Sequence, residues 1–202
     1  MKSTVLVACA AIALSAAVPA FADDEAKLSL SPYFGANYDL TSLHFKNGYS
    51  SYADSISGAS PFVGVNLGRY FALELSVGVA TGERAVSDTL SYHSSMRGEA
   101  IKLMVHYPLG STGFAPYLFT GLSVMKMKES SFSTSIDPKT QKPVTTYSSL
   151  SGKSEADPIF GGGISYVYSG LEIRAGASVQ TINWSNSGQY AVTFGGGLAF
   201  HL

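Results

Sequence analysis

A serine acts as a nucleophile only beside a base, and that base works only when a carboxylate orients it. One stretch of this 202-residue sequence offers all three groups: His93-Ser94-Ser95, with Glu83 and Glu99 nearby. The tripeptide is a common one, and its surroundings read as a solvated loop without rigid organisation. His93, Ser95 and Glu99 are therefore expected to carry no catalysis. The four histidines, His44, His93, His106 and His201, are scattered, and none has metal-ligand spacing with another. His106 and His201 are expected to be polar fillers. Gly161-Gly162-Gly163 and Gly195-Gly196-Gly197 neither open a helix nor carry the Lys-Ser/Thr that phosphate chemistry needs. No cofactor or metal is expected.

The elements that hold these residues follow from the first segment onward. Lys2, the apolar run Val5 to Val18, and Ala20-Phe21-Ala22 have the form of a secretory signal over residues 1–22. The competing lipoprotein reading of Leu6-Val7-Ala8-Cys9 leaves the apolar run past Cys9 without a role. Cleavage after Ala22 gives a mature domain of residues 23–202, free of cysteine and with formal charge −2 once Lys2 is lost from the −1 of the whole chain. That balance gives no basic footprint for nucleic acid. Charged residues make up only 13% of the chain, about half the usual share of a soluble domain. No mature stretch approaches the ~20 apolar residues of a spanning helix.

Period-two alternation recurs eight times, and successive side chains of a strand point to opposite sheet faces. Leu30, Phe34, Tyr38 and Leu40 alternate with Tyr33, Asn37 and Asp39. Similar segments follow at 61–68, 71–80, 101–107, 114–124, 160–168, 171–180 and 190–202. Gly68-Arg69-Tyr70, Pro108 to Gly113 and Ser169-Gly170 are tight turns. Thr41 to Ser60, Thr81 to Arg97, Lys126 to Asp157 and Asn183 to Gly188 are the remaining links, three of them long. The third is nearly balanced, with five lysines against Glu129, Asp137, Glu155 and Asp157. Tyr49, Tyr52, Tyr92 and Tyr147 could serve as contact residues in these links.

An even number of strands with short turns at one end and long loops at the other describes an all-β, eight-stranded antiparallel up-and-down transmembrane β-barrel. The face opposite the apolar one is mostly Gly, Ser, Ala, Asn and Thr, which suits a narrow interior that side chains just fill. Glu74, Lys102, Glu172 and Arg174 all fall on that face, and the apolar face carries no charge through the strand centres. Aromatics gather at the ends of the apolar face. Phe71, Tyr107, Phe114, Tyr166, Tyr168 and Phe200 lie near the short turns or the carboxyl end, and Tyr38, Phe160 and Tyr190 near the long links. They are expected to form two girdles at the lipid–water boundaries.

In Asn66-Leu67-Gly68-Arg69-Tyr70-Phe71-Ala72-Leu73-Glu74, Ala115-Pro116-Tyr117-Leu118, Leu171-Glu172-Ile173-Arg174 and Gly195-Gly196-Gly197-Leu198-Ala199-Phe200, the sequence resembles the OmpA-type and opacity-protein-like outer-membrane barrels. The resemblance implies an interior charge network of Glu74, Lys102, Glu172 and Arg174, paired because a bare buried charge is costly. It also implies recognition of the carboxyl end by the barrel-assembly machinery, although the last residue is Leu202 rather than an aromatic. The expected function is a non-enzymatic outer-membrane barrel. It would sit among outer-membrane lipid and lipopolysaccharide, support the envelope and display loops, with adhesion to host surface or serum proteins as the specific form. A lipid A-modifying enzyme of the His/Ser/Glu deacylase type, a narrow pore and a soluble periplasmic barrel are the alternatives.

Overall fold

The computed structural model describes residues 29–44, 55–87, 90–137, 139–140, 142–153, 156–182 and 189–202. Residues 1–22, where a cleaved secretory signal is expected, Cys9 among them, and Tyr49, Tyr52 and the link 183–188 lie outside the described residues. Nine strands are formed: β1 (Leu30–His44), β2 (Ser55–Leu67), β3 (Phe71–Ser87), β4 (Leu90–His106), β5 (Phe114–Ile136), β6 (Pro143–Lys153), β7 (Asp157–Tyr168), β8 (Leu171–Ile182) and β9 (Gln189–His201). Every neighbouring pair is antiparallel, and β1 pairs with both β2 and β9, which closes the sheet into a ring.

The ring has eight staves. Its β5 is 23 residues long. One edge of β5 pairs with β7 over Phe114 to Ser123 and with β6 over Lys126 to Ile136. Strands β6 and β7 are thus two halves of one long strand running antiparallel to β5. Between the pairs Ser123↔Asp157 and Lys126↔Lys153 the β6–β7 side spans one residue more than β5.

The long links are therefore shorter than the alternation suggests. Segments 81–87, 90–97, 126–136 and 143–153 continue the strands as hairpins instead of leaving them as loops. There both faces are mostly polar, so the regular apolar period that marks a strand is lost, although Thr, Ser, Tyr and Val still favour extended backbone. Asp137 closes the β5–β6 hairpin. Its carboxylate accepts from the Lys139 amide and the Thr140 hydroxyl, both at 2.8 Å, which holds its pKa below the ordinary carboxylate value. At the opposite end, Ser169 and Gly170 both take positive φ (50° and 83°), as a two-residue hairpin turn requires.

The registers fix how far the strands lean. Starting at Leu43, partners lead through Ala191, Gln180, Ile159, Gly121, Lys102, Glu74 and Gly64 to Tyr33, a displacement of ten positions (43 − 33) in one circuit. Ten positions over eight staves imply a steep tilt, of about 35–45°, and an interior that side chains can just fill.

The parity is uniform. Leu118 is 71% exposed, and Val63, Leu75, Ile164, Ile173 and Phe194 point outward with it, whereas Ala72, Glu74, Tyr117, Ser165 and Ala199 are buried inside. Glycine is needed where two walls approach. A Cβ at Gly163 would meet the Ala175 carbonyl oxygen, and the Tyr117 hydroxyl at 2.7 Å. Replacing Gly163 with Ala is expected to cost about 1–3 kcal/mol by overpacking, read as a lower denaturant midpoint of the refolded barrel. An unchanged midpoint would mean that this wall has room to spare.

Candidate functional site: the barrel interior and its rim

Inward side chains form three layers. Nearest the short turns, His201 Nε2 lies 2.9 Å from Glu172 Oε2, its Nδ1 lies 3.2 Å from Asn66 Nδ2, and Tyr33 stacks on its ring. Next comes Glu74, whose two oxygens are divided between cations. Lys102 Nζ donates to Oε1 at 3.2 Å and Arg174 Nη1 to Oε2 at 2.7 Å. The Arg174 Nε donates to Asn37 Oδ1 at 3.1 Å, and its guanidinium lies 3.6 Å from the centre of the Phe62 ring. Lys102 lies over Phe119 at 5.4 Å. The two cation–ring contacts face each charge with an aromatic cloud instead of bare hydrocarbon.

At the far end, Leu43, Ile56, Ala80, Met125, Met127, Ile182 and Ala191, with Met96 against them, close the bore with an apolar layer. Between this layer and the Glu74 centre lies a cavity of about 130 Å³. Asp39, Thr41, Ser60, Ser76 and Thr193 line it, with Ser60 donating to Asp39 and the Thr41 and Thr193 hydroxyls 2.9 Å apart.

The sequence groups Glu74, Lys102, Glu172 and Arg174 as one network. The structure brings three of them into direct ion pairs and pairs Glu172 with His201. The sequence alone reads His201 as a polar filler. Its partnership shows only in the strand register, because Glu172↔Ala199 and the parity of β9 set the imidazole next to the carboxylate.

The nine aromatics lie at the two ends of the outward face. Tyr107, Phe114, Tyr168 and Phe200 are exposed at the short-turn end, where Phe114 and Tyr166 are in ring contact at 4.7 Å. Phe71 lies next to them, half-buried and in register with Val105. Tyr38, Phe160 and Tyr190 are exposed toward the hairpin end, where Tyr190 stacks on His44 at 4.5 Å.

The His93 stretch lies on β4 rather than in a loop. His93 Nδ1 is 3.3 Å from Glu83 Oε1, on the exposed outer face. Ser94 is fully buried on the other face. Glu99 is occupied by Arg97 at 3.3 Å. Among the described residues no hydrogen bond joins Ser95 to His93, so the nucleophile–base link is not assembled. Nor does any group of three His, Cys, Asp or Glu among them have the placement of a metal site.

A family model, the outer membrane protein beta-barrel domain, matches residues 6–200. The chain belongs to that family. As a member it is an outer-membrane protein, and its lipid-facing parity, closed ring and long hairpins at one end are those of the fold. Solved structures share that fold. Neisserial surface protein A matches with a TM-score of 0.55 at 15% identity, over 85% of this chain and 98% of that one. Ail, the attachment invasion locus protein of Yersinia pestis, in complex with the heparin analogue sucrose octasulfate, gives 0.52 at 9%, over 85% and 99%. OprG from Pseudomonas aeruginosa gives 0.51 at 10%, over 87% and 97%. No curated protein sequence matches the chain.

Proposed function

We propose that this outer-membrane barrel is a non-enzymatic scaffold that supports the envelope and presents the β3–β6 hairpins as a binding surface for host surface or serum proteins. The observation that carries this reading is the raised β5–β6 hairpin. It projects beyond the ring and carries Phe132, Ile136, Val144 and Tyr147 exposed, with Phe132 and Tyr147 in edge contact at 5.3 Å. Exposed apolar and aromatic groups on an extramembrane sheet are unusual unless something covers them. The complex of Ail with a heparin analogue is an example of the same fold taking a ligand from solution. In this reading the nine aromatics mark the two lipid boundaries, lipid and lipopolysaccharide surround the band, the barrel-assembly machinery inserts the chain, and residues 1–22 are a cleaved signal. The four interior charges and His201 serve structure.

The test replaces residues 128–151 with a two-residue turn. Cells bearing the shortened barrel are expected to lose most of their binding to host cells and serum proteins while keeping the heat-modifiable band of a folded barrel. Undiminished binding would defeat the proposal. The open link between Ser95 and His93 argues against the deacylase alternative, and mass spectrometry should find lipid A acylation identical with wild-type and Ser95→Ala protein. The charge centre and the apolar layer both obstruct the bore, so planar bilayers are expected to show no stable ohmic conductance.

A further inference from the structure

From the short turns up to the level of Tyr38, no described outward strand position carries a charge. Just beyond, the register assembles several at once. Tyr38 pairs with Ala59, Ala59 with Val79, Val79 with Arg97 and Arg97 with Lys126. Each step climbs by roughly one and a quarter residues, because the displacement of ten is shared by eight staves. Arg97 and Lys126 therefore stand roughly four and five residues above Tyr38, near the level of Tyr190. Lys128 lies two residues further up the same face of β5, in register with Ser95. Lys153 of β6 is the register partner of Lys126. No other sector of the described rim presents an outward Lys or Arg.

Directly opposed like charges destabilise a sheet, yet Arg97 and Lys126 face one another across β4 and β5. Glu99 compensates only Arg97, at 3.3 Å, and both side chains are exposed. Lys126 and Lys128 are exposed and have no ion-pair partner among the described residues. Such a cluster calls for an anion from outside the chain. Its height and outward direction say which kind. A soluble polyanion would first meet Lys139 and Lys142 at the hairpin tip, whereas Arg97, Lys126 and Lys128 face sideways at the edge of the lipid band.

We propose that Arg97, Lys126 and Lys128 form a binding site for the sugar-linked phosphates of a glycolipid in the outer leaflet. The site rests on the membrane reading above. Its physical basis is charge-assisted hydrogen bonding from a guanidinium and two ammonium groups to phosphate oxygens, strengthened by the low dielectric of the adjacent lipid. The guanidinium supplies a planar fork and the two ammonium groups supply point charges, so a phosphate carried on a rigid sugar can be held from two sides.

The test uses the refolded full barrel in detergent micelles, with bisphosphorylated lipid A and chemically dephosphorylated lipid A as probes and native mass spectrometry as readout. Wild type is expected to retain the bisphosphorylated form and to bind the dephosphorylated one at least roughly tenfold more weakly. R97Q/K126Q/K128Q should bind both forms equally poorly, and R97K/K126R/K128R should bind as wild type does. If the triple Gln protein fails to fold, K128Q alone should weaken binding by about threefold. Unchanged retention by either Gln variant would overturn the site. A loss of sucrose octasulfate binding with lipid A binding intact would also overturn it and assign the cluster to a soluble polyanion. A barrel that lacks heat-modifiable mobility and does not enter vesicles would refute the membrane reading itself, an outcome distinct from a folded barrel indifferent to phosphate.

Discussion

Glu74→Gln is expected to destabilise the folded barrel by about 3–5 kcal/mol, the range for removing one partner of a buried ion pair. The Glu74 side chain is 1% exposed and Arg174 4% exposed. A single carboxylate answers two cations, so its loss strands both at once. Arg174 then keeps Asn37 and the face of Phe62, neither of which neutralises a charge. Lys102 is less enclosed, at 14%, and can shift its long stem toward the cavity it lines. Most of the penalty should therefore fall on Arg174. Urea unfolding in lipid vesicles, followed by gel mobility, measures the change. The companion variant E74M/K102M/R174M removes all three charges, and replacing a whole buried group with apolar residues is often nearly neutral. It should recover most of the loss. If Glu74→Gln stayed within about 1 kcal/mol of wild type, the centre would be far better hydrated than its burial implies. Glu172→Gln should cost less, roughly one hydrogen bond or about 1 kcal/mol, because its partner is the single His201 imidazole and not two buried cations.

The second large effect lies on the opposite face. Leu118→Arg should cost about 2–4 kcal/mol in a bilayer, because Leu118 points outward near the middle of the lipid band. The same substitution on a water-exposed sheet would stay within about 0.5 kcal/mol. Depth provides the control. Tyr107→Arg, at the short-turn end, should cost only about 0–1 kcal/mol in charge placement. Folding into vesicles of defined composition, measured as the folded fraction against urea, separates the two positions. Equal costs at Leu118 and Tyr107 would mean that the outward face has no apolar centre.

The scaffold was legible because lipid enforces the simplest possible pattern. Where one face meets hydrocarbon, every second residue must be apolar, and the parities of Leu73 against Glu74, Ile173 against Arg174 and Ile101 against Lys102 could be read without coordinates. Once the strands leave the lipid, both faces meet water and the alternation loses its cause. For that reason Arg97, Lys126 and Lys128 read as loop residues, and their alignment across β4 and β5 is not legible in the sequence. The pairing of Glu172 with His201 was hidden for a different reason. Parity says which residues share the interior but not at what height, and height depends on the register and its ten-position displacement. The apolar layer of Leu43, Ile56 and Met127 is not legible because all three lie in segments that read as links, beyond the alternation that lipid imposes.

The one-residue offset between the β6 and β7 registers separates two kinds of inheritance in this chain. Below it, a one-residue deletion would turn every later side chain to the wrong wall, so length there is frozen. Above it, β6 pairs only with β5, and the hairpin can grow or shrink by matched pairs at its tip without disturbing Phe114 to Ser123 against β7. Variation under immune or phage pressure can therefore accumulate in the tower while the foundation keeps its register. An epitope inserted at the Asp137–Lys142 tip would be carried outward on eleven rungs of sheet, about 45 Å along β5 from Ser123, the last rung shared with β7.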